Sequence, residues 1–518
     1  MNPIRIFAAL FAVLVATLAV PLAADPNDIQ ATSRSVVRVV LIASDGDETF
    51  YVGHGSGFAV APNKIVTNAH LLAPLTDDAS IRIGIIPSEG TTTYGGTLKT
   101  ISVKNDLALI EVQGGRLPSV ALLANPLADG ASVMAIGYPA NVDRAQGLDA
   151  RETVNPMAPV KTPGVTSSGR TTREFDTILH TAALAKGNSG GPLVDLCGRV
   201  VGVNSFGSLS DGNDAEYGFA ISNRELLPFL RNAKVAYRLS DTDCRSAADL
   251  SAEERARSQA ALAESREREL SVSMAKSAAA QDALREAEYT IIGRRENHLA
   301  VAALAMILAA LGGAAAYMLH ERGEANRMKI AAGVAAGLAL FGVLAFATRP
   351  GFDQAEDIAV AAMTALDKRE TAQASTPGSA DGRYQCTIVP ERSRITGTRP
   401  GPLDLVWSAA GCVNARTQYG RDVKGWTRVF VRNEDQTVLI NRFDPQTSQF
   451  RTDTFLLGLD NMQAARKIRN RYTNNSCTTN PEALTDLEDM QKALRQALPA
   501  EPNEVFVYDC KRRAPAAQ

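Results

Sequence analysis

The chain has 518 residues, too many for one domain at roughly 100–200 residues each, so three or four units are expected. Its 54 basic and 56 acidic residues nearly cancel, which argues against the basic face that nucleic-acid binding requires. Six cysteines do not make a disulfide-built scaffold at this length, but an even count suits a few structural bridges in an oxidising compartment.

The N-terminus places Arg5 before an apolar run, Ile6 to Val20, and then Leu22-Ala23-Ala24 before Asp25. This is the form of a signal peptide over residues 1–24, with an uncleaved anchor as the alternative. Either one carries the adjoining domain across a membrane. Residues 25–240 form that first domain. They are rich in short β-type runs with glycine turns, among them SVVRVVLIA, KIVTNAH, DLALIEV, SVMAIGYP, GRVVGVNSF and EYGFAIS. Short strands at this spacing predict an all-β barrel or sandwich. Residues 141–170, with three prolines and many small polar residues, read as a long irregular loop.

Residues 246–292 are almost all Ala, Glu, Arg, Ser, Gln and Leu, a helical composition. They predict a charged stalk, or else a helix folded back on the β domain. Two apolar runs come next, at 299–319 and 328–347, each about the ~20 residues that cross a hydrocarbon core. A membrane hairpin is expected, with a pair of buried Ala-rich helices as the alternative. The link between them holds Arg322 and Arg327, with Lys329 just beyond, which favours a cytoplasmic loop; Arg294 and Arg295 on the other flank argue against it. With that topology all six cysteines lie outside the cytoplasm. Gly333 and Gly337 form a small-xxx-small pair that would suit helix contact, with glycine simply tolerated in a membrane helix as the equal alternative. Residues 370–383 read as a linker. Residues 384–515 read as a small α+β domain with four cysteines, enough for two bridges, and no catalytic motif.

Serine-based peptide hydrolysis needs a nucleophile, a base, a group that orients the base, and donors for an oxyanion. The β region offers three histidines: His54 in a glycine turn, His70 at the end of KIVTNAH, and His180 in an apolar strand. Asp106 heads the apolar run DLALIEV, where a buried carboxylate needs a partner such as a histidine. Ser189 lies in KGNSGGP, whose glycines let the backbone turn sharply. Such a turn can aim the N–H groups of Gly187 and Ser189 at one point.

Taken together, GSGFAV at 55–60, TNAHLL at 67–72, DLALIEV at 106–112, GNSGGPLVD at 187–195, GRVVGVNS at 198–205 and YGFAIS at 217–222 resemble the trypsin-like serine proteases, most closely their HtrA (Deg) branch. The resemblance covers roughly residues 30–235. It implies two six-stranded β-barrels with a site between them, His70 as general base, Asp106 as its orienter and Ser189 as nucleophile. It calls for no cofactor and no metal. It also implies a substrate pocket with Ala183 at the floor, Ser205-Phe206-Gly207 as one wall and Gly218 as the other. With no acid at the floor, small or medium aliphatic side chains are expected before the cut. The chain departs from HtrA proteins in having no PDZ-like continuation, so their oligomers are not carried over. A Cys197–Cys244 bridge is compatible with the spacing. Asn188 stands where digestive relatives carry an aspartate that pairs with a new N-terminal amine, so the serine loop is expected to be ordered by other means.

The expectation is a membrane-tethered serine endopeptidase of the bacterial cell envelope. It would sit at the inner membrane, with protease and C-terminal domains on the periplasmic side, and act on polypeptides, including unfolded envelope proteins. A catalytically latent binding or signalling protein is the alternative. A transporter or channel is disfavoured because the apolar runs carry no internal charge.

Overall fold

The computed structural model describes residues 26–45, 48–171, 175–208, 216–374, 381–422, 425–472 and 476–513. The expected signal segment, residues 1–24, lies outside the described residues, as do residues 375–380 of the expected linker. Two compact units divide the chain: residues 1–254 with 379–518, and residues 255–378.

The first unit opens on helix α1 (Pro26–Ser33) and six strands: β1 (Val36–Asp45), β2 (Glu48–Ala61), β3 (Lys64–Thr67), β4 (Arg82–Ile86), β5 (Tyr94–Ser102) and β6 (Leu107–Val112). They close into a barrel in the order β1-β2-β3-β6-β5-β4. Strand side chains alternate between faces, and β1 uses both. Val37, Val39 and Leu41 fill the barrel, while Val36 joins a second core shared with the next barrel. Arg38, on the same face as Val36, is 1% exposed.

The second barrel is built from β7 (Ala121–Leu123), β8 (Ser132–Gly137), β9 (Val160–Thr171), β10 (Asp176–His180), β11 (Pro192–Val194), β12 (Val200–Gly207), β13 (Gly218–Ser222) and β14 (Arg238–Ser240). Six of them form the ring β11-β8-β9-β10-β13-β12, closed by the β11–β12 pairing, and β7 and β14 extend it beyond β12. Helix α2 (Ala140–Ala145) comes after β8, and α3 (Asn223–Asn232) after β13.

The expected irregular loop at 141–170 is corrected. It holds most of α2, a series of turns, and nearly all of the twelve-residue strand β9. The sequence hid β9 because it contains Pro163 and Gly164. The register shows why proline is tolerated there: residues 160–165 pair with β8 and residues 166–171 with β10. Pro163 therefore sits in a half-strand with one partner, where its missing N–H costs nothing.

The 75-residue helix α4 (Ala247–Glu321), which belongs to the second unit from residue 255 on, runs without a break through both the expected stalk and the first apolar run, about 110 Å at 1.5 Å per residue. Helix α5 (Ala325–Ala347) is next. Both are long and apolar enough to cross a membrane, and large apolar side chains such as Leu304, Leu311, Val334 and Leu344 stand exposed on them. The close approach between them uses Gly312 against Ala335 and Gly342 against Met306 and Ala305. Gly333 and Gly337 face open space, as the alternative of glycine merely tolerated there has it, and not the contact reading. A further helix, α6 (Gln354–Ala374), packs Ala355 and Ala359 on Ala287 and Ile291 of α4. It takes up residues 370–374 of the expected linker, because Thr-Ala-Gln-Ala continues a helix as readily as it makes a coil.

Residues 382–513 form a nine-stranded antiparallel sheet whose two edge strands, Thr417–Gln418 and Gly420–Asp422, are separated only by Tyr419. The sheet is thus a nearly closed barrel. Helices α7 (Leu459–Arg469) and α8 (Pro481–Gln496) pack on it through Met462, Leu487 and Leu494. Disulfides join Cys386 to Cys510 and Cys412 to Cys477. This domain docks on the protease-like half through buried and half-buried polar groups. Arg394 pairs with Asp28 of α1, Arg34 donates to the Leu456 carbonyl at 2.6 Å, and Leu459 N–H donates to Glu89 at 3.2 Å.

Candidate active site

Three segments deliver His70, Asp106 and Ser189 to one place. β3 is buried over its last three residues, and the chain turns at its end: Thr67 Oγ1 donates to the Ser56 carbonyl at 2.7 Å, and Asn68 Nδ2 donates to the Asp106 carbonyl at 2.9 Å. His70 then starts a single 3-10 turn, His70–Leu72. Asp106 stands just before the buried strand β6 with φ 49°, a left-handed conformation that aspartate tolerates better than most residues.

The Asp106 carboxylate accepts from His70 Nδ1 at 3.0 Å on each oxygen, from His70 N–H at 3.0 Å, and from Ser205 Oγ at 2.6 Å. A carboxylate accepts only, so Nδ1 carries a ring proton, and the lone pair of the neutral ring lies on Nε2. Burial alone would raise the Asp106 carboxyl. The hydrogen bonds from His70 and Ser205 outweigh it and hold the group below its ordinary 3.8. His70 is half exposed on its side chain, at 49%, while that of Asp106 is 16% exposed. The base candidate thus faces the open side and its orienter the protein.

Ser189 is half-buried. Its hydroxyl donates to the Ser205 carbonyl at 2.7 Å and makes no hydrogen bond to His70 among the described residues. Ser205 therefore touches both sides of the constellation, through its carbonyl and through its hydroxyl. Sequence reasoning placed Ser205 only in the pocket wall and missed its bond to Asp106.

The loop around Ser189 is held from both barrels. Gly187 has φ 101° and Gly190 φ 86°. A Cβ on Gly187 would collide with the Tyr138 carbonyl, and one on Gly190 with the Ser56 carbonyl. Only glycine fits both the conformation and the space. Ser56 N–H donates to the Ser189 carbonyl at 2.8 Å, and Ser56 Oγ donates to the Gly187 carbonyl at 2.7 Å. Sequence reasoning missed Ser56, although a serine between two glycines in a strand-forming run was the available signal. Ala140 N–H donates to the Lys186 carbonyl at 2.8 Å. In a trans peptide the C=O and N–H point opposite ways, so Gly187 N–H turns away from Ala140. Neither Gly187 N–H nor Ser189 N–H has a partner among the described residues. Asn188 is buried; its N–H donates to the Ala185 carbonyl at 3.0 Å and its own carbonyl accepts from Gly191. It takes part in a backbone turn and in no ion pair among the described residues.

Of the expected pocket residues, Ala183 is exposed in the stretch between β10 and β11. Phe206 is 42% exposed and stacks on Phe219 at 4.8 Å. Gly207 pairs with Gly218 across β12 and β13. The sulfurs of Cys197 and Cys244 are bonded. His54 and His180 do not join His70. His180 is buried in β10 against Gly218, and His54 lies behind the serine loop, where a Cβ on Gly187 would stand 2.7 Å from its Nε2. Among the described residues no group of His, Cys, Asp and Glu is arranged to hold a metal ion.

Residues 55–203 match the trypsin-like peptidase domain. The serine protease Rv3671c of Mycobacterium tuberculosis is 30% identical over 207 residues, which are 38% of this chain and 46% of that protein. A probable periplasmic serine endoprotease, DegP-like, of Chlamydia pneumoniae is 31% identical over 191 residues, 35% of each chain. The chain thus spans less than half the length of these curated relatives. A solved structure of the Rv3671c protease from M. tuberculosis, active form, is 24% identical and covers 43% of this chain and 91% of its own, with a TM-score of 0.32.

Proposed function

We propose that this chain, which carries a trypsin-like peptidase domain over residues 55–203, is a membrane-tethered serine endopeptidase acting outside the cytoplasm. The observation that carries the reading is the bonded set of His70, Asp106 and Ser205 beside the N–H groups of Gly187 and Ser189, which have no partner among the described residues.

In the mechanism, Asp106 fixes the Nδ1–H tautomer of His70, so Nε2 accepts the Ser189 proton as Oγ attacks the peptide carbonyl. Ser189 first leaves the Ser205 carbonyl by rotation about its side-chain bond. The N–H groups of Gly187 and Ser189 receive the negative charge that develops on the carbonyl oxygen. His70 then passes its proton to the leaving amine. Water, deprotonated by the same ring, releases the acyl group and regenerates Ser189. Ala183, Ser205-Phe206-Gly207 and Gly218 form the pocket before the cut, with no acidic side chain at Ala183 to bind Lys or Arg. Small or medium aliphatic residues are the substrates this favours. Tethering rests on α4 and α5, whose exposed apolar side chains exceed what a water-facing surface normally carries. Three disulfides favour the oxidising side of the membrane.

A latent, protease-like binding protein is the second reading, favoured by the Ser189–Ser205 bond. The full-length chain in detergent, with and without Ser189→Ala, decides between them. Labelling by a fluorophosphonate probe and cleavage of unfolded casein, both lost in the variant, support the peptidase. A folded wild-type chain that does neither supports the latent reading. A peptide library cut after Lys or Arg would overturn the pocket assignment.

A further inference from the structure

A buried polar cluster lies behind the serine loop, outside the groups that do the chemistry. Arg38 of β1 is 1% exposed and donates to Asp143 of α2 at 2.9 Å and to the Thr153 carbonyl at 3.1 Å. Its guanidinium lies 4.8 Å from the centre of the Tyr138 ring. His54 of β2 places Nε2 at 2.9 Å from the Tyr138 carbonyl and accepts, at Nδ1, a short bond from the Tyr51 hydroxyl. Because a carbonyl only accepts, His54 carries its proton on Nε2, and Nδ1 takes the Tyr51 O–H. Burial lowers the pKa of this ring, with Arg38 adding to that, against the Tyr138 carbonyl and Asp143. Asp143 Oδ2 faces Nε2 at 3.7 Å.

His54 and Arg38 both reach residues 138–143, the segment that holds the oxyanion loop. Tyr138 is gripped at both peptide groups by β2: its carbonyl by His54, its N–H by Ser56 Oγ at 2.9 Å. Two residues later Ala140 N–H holds the Lys186 carbonyl, and that bond sets the direction of Gly187 N–H. Asp143, three residues further on, anchors the same segment to Arg38 of the first barrel.

We infer that Tyr51, His54, Arg38 and Asp143 are positioning residues that hold the oxyanion loop open. They take the place of an acid–amine pair at Asn188, which the chain does not make. A buried ion pair and a histidine hydrogen-bonded at both ring nitrogens fix residues 138–143 to the first barrel. Through Ala140, those residues fix the peptide that points Gly187 N–H at the substrate. The inference rests on the peptidase reading. It explains how a loop without an ionic latch of its own is ordered in the chain as synthesised.

The test compares His54→Leu, His54→Gln and Tyr51→Phe in the full-length chain, each checked for an unchanged melting profile. Glutamine keeps one N–H donor and one acceptor; leucine keeps neither. His54→Leu is expected to lower kcat by about 100-fold, the scale of one lost oxyanion donor, with KM within about threefold of wild type. His54→Gln restores at least a third of the wild-type kcat, and Tyr51→Phe falls between the two. Amide exchange of residues 183–191 is read in the same proteins and rises in His54→Leu but not in His54→Gln. Equal kcat in the leucine and wild-type chains, or equal losses in leucine and glutamine, overturns the proposal. If His54→Leu does not fold, Tyr51→Phe decides: an unchanged kcat overturns the inference. A wild-type chain without activity refutes the peptidase reading instead, and the exchange data alone then decide: faster exchange only in His54→Leu upholds the positioning role, and equal exchange removes it.

Discussion

Ser189 and Ser205 are joined by a 2.7 Å bond from the hydroxyl of the first to the carbonyl of the second, and Ser205 in turn donates its own hydroxyl to Asp106 at 2.6 Å. One residue thus parks the proposed nucleophile and steadies the group that orients the proposed base.

Ser205→Ala separates these roles, because it keeps the carbonyl and removes the donor. A hydrogen bond to a charged acceptor is worth about 1.5–3 kcal/mol, so kcat/KM is expected to fall about 10- to 100-fold. Asp106 is held below its ordinary 3.8 in part by this bond. A carboxylate lowered on folding gives stability that is present above its unfolded pKa and lost as pH falls through its folded pKa. Without Ser205 Oγ the folded pKa rises, so acid unfolding should begin at a higher pH than in wild type. Identical acid-unfolding midpoints would remove Ser205 from this role.

His180 makes a second pH prediction. Burial pushes its pKa from 6.5 down to about 4, against the Ala182 backbone and the Asn204 side chain. The unfolded chain therefore binds a proton that the folded chain refuses. Stability is full above about pH 6.5 and declines as pH falls toward 4, by on the order of 3 kcal/mol. His180→Gln should flatten the slope between pH 6.5 and 4 in urea unfolding. An unchanged slope would show that other groups set it.

The Asp28–Arg394 pair ties α1 to the C-terminal domain, with side-chain exposures of 3% and 1%. Asn503 Nδ2 also donates to Asp28 at 2.9 Å, and Arg394 Nε donates to the Arg245 carbonyl at 2.7 Å. Removing one charge leaves the other buried and unpaired, at a cost of about 3–5 kcal/mol. Arg394→Met should therefore lower the melting temperature strongly, and Asp28→Asn combined with it should recover part of the loss. Additive losses in the double variant would mean that the two side chains are not coupled.

The sites that were legible in the sequence share a feature: their chemistry is carried by short contiguous strings. TNAH, NDLALI and GNSGGP each encode a turn and a reactive side chain locally, and the structure brings His70 and Asp106 into contact and Ser189 to the same cleft through Ser205. Strands with a regular apolar pattern, such as β1 and β6, were equally plain. Strand β9 was not, because its proline and glycines argue against a strand. Only pairing with β8 along one half and β10 along the other makes it one.

The sequence by itself determined which residue types can do hydrolytic chemistry, that the first domain is β-rich, and that two segments are apolar enough to cross a membrane. These are properties of composition and of neighbours within a few positions. The tertiary structure alone decided that Ser205 donates to Asp106, that Ser56 holds the serine loop and His54 the Tyr138 carbonyl, that α4 is one unbroken helix, and that the C-terminal domain docks on α1. Apart from the unbroken helix, each depends on groups tens to hundreds of residues apart meeting at about 3 Å, the ordinary hydrogen-bond distance. Hydrogen bonds of that kind are fixed by backbone path and burial, and leave no periodic trace in the chain. Asn188 illustrates the division. The sequence showed that the loop lacks an acid, and the fold supplied the buried contacts from the other barrel that hold it.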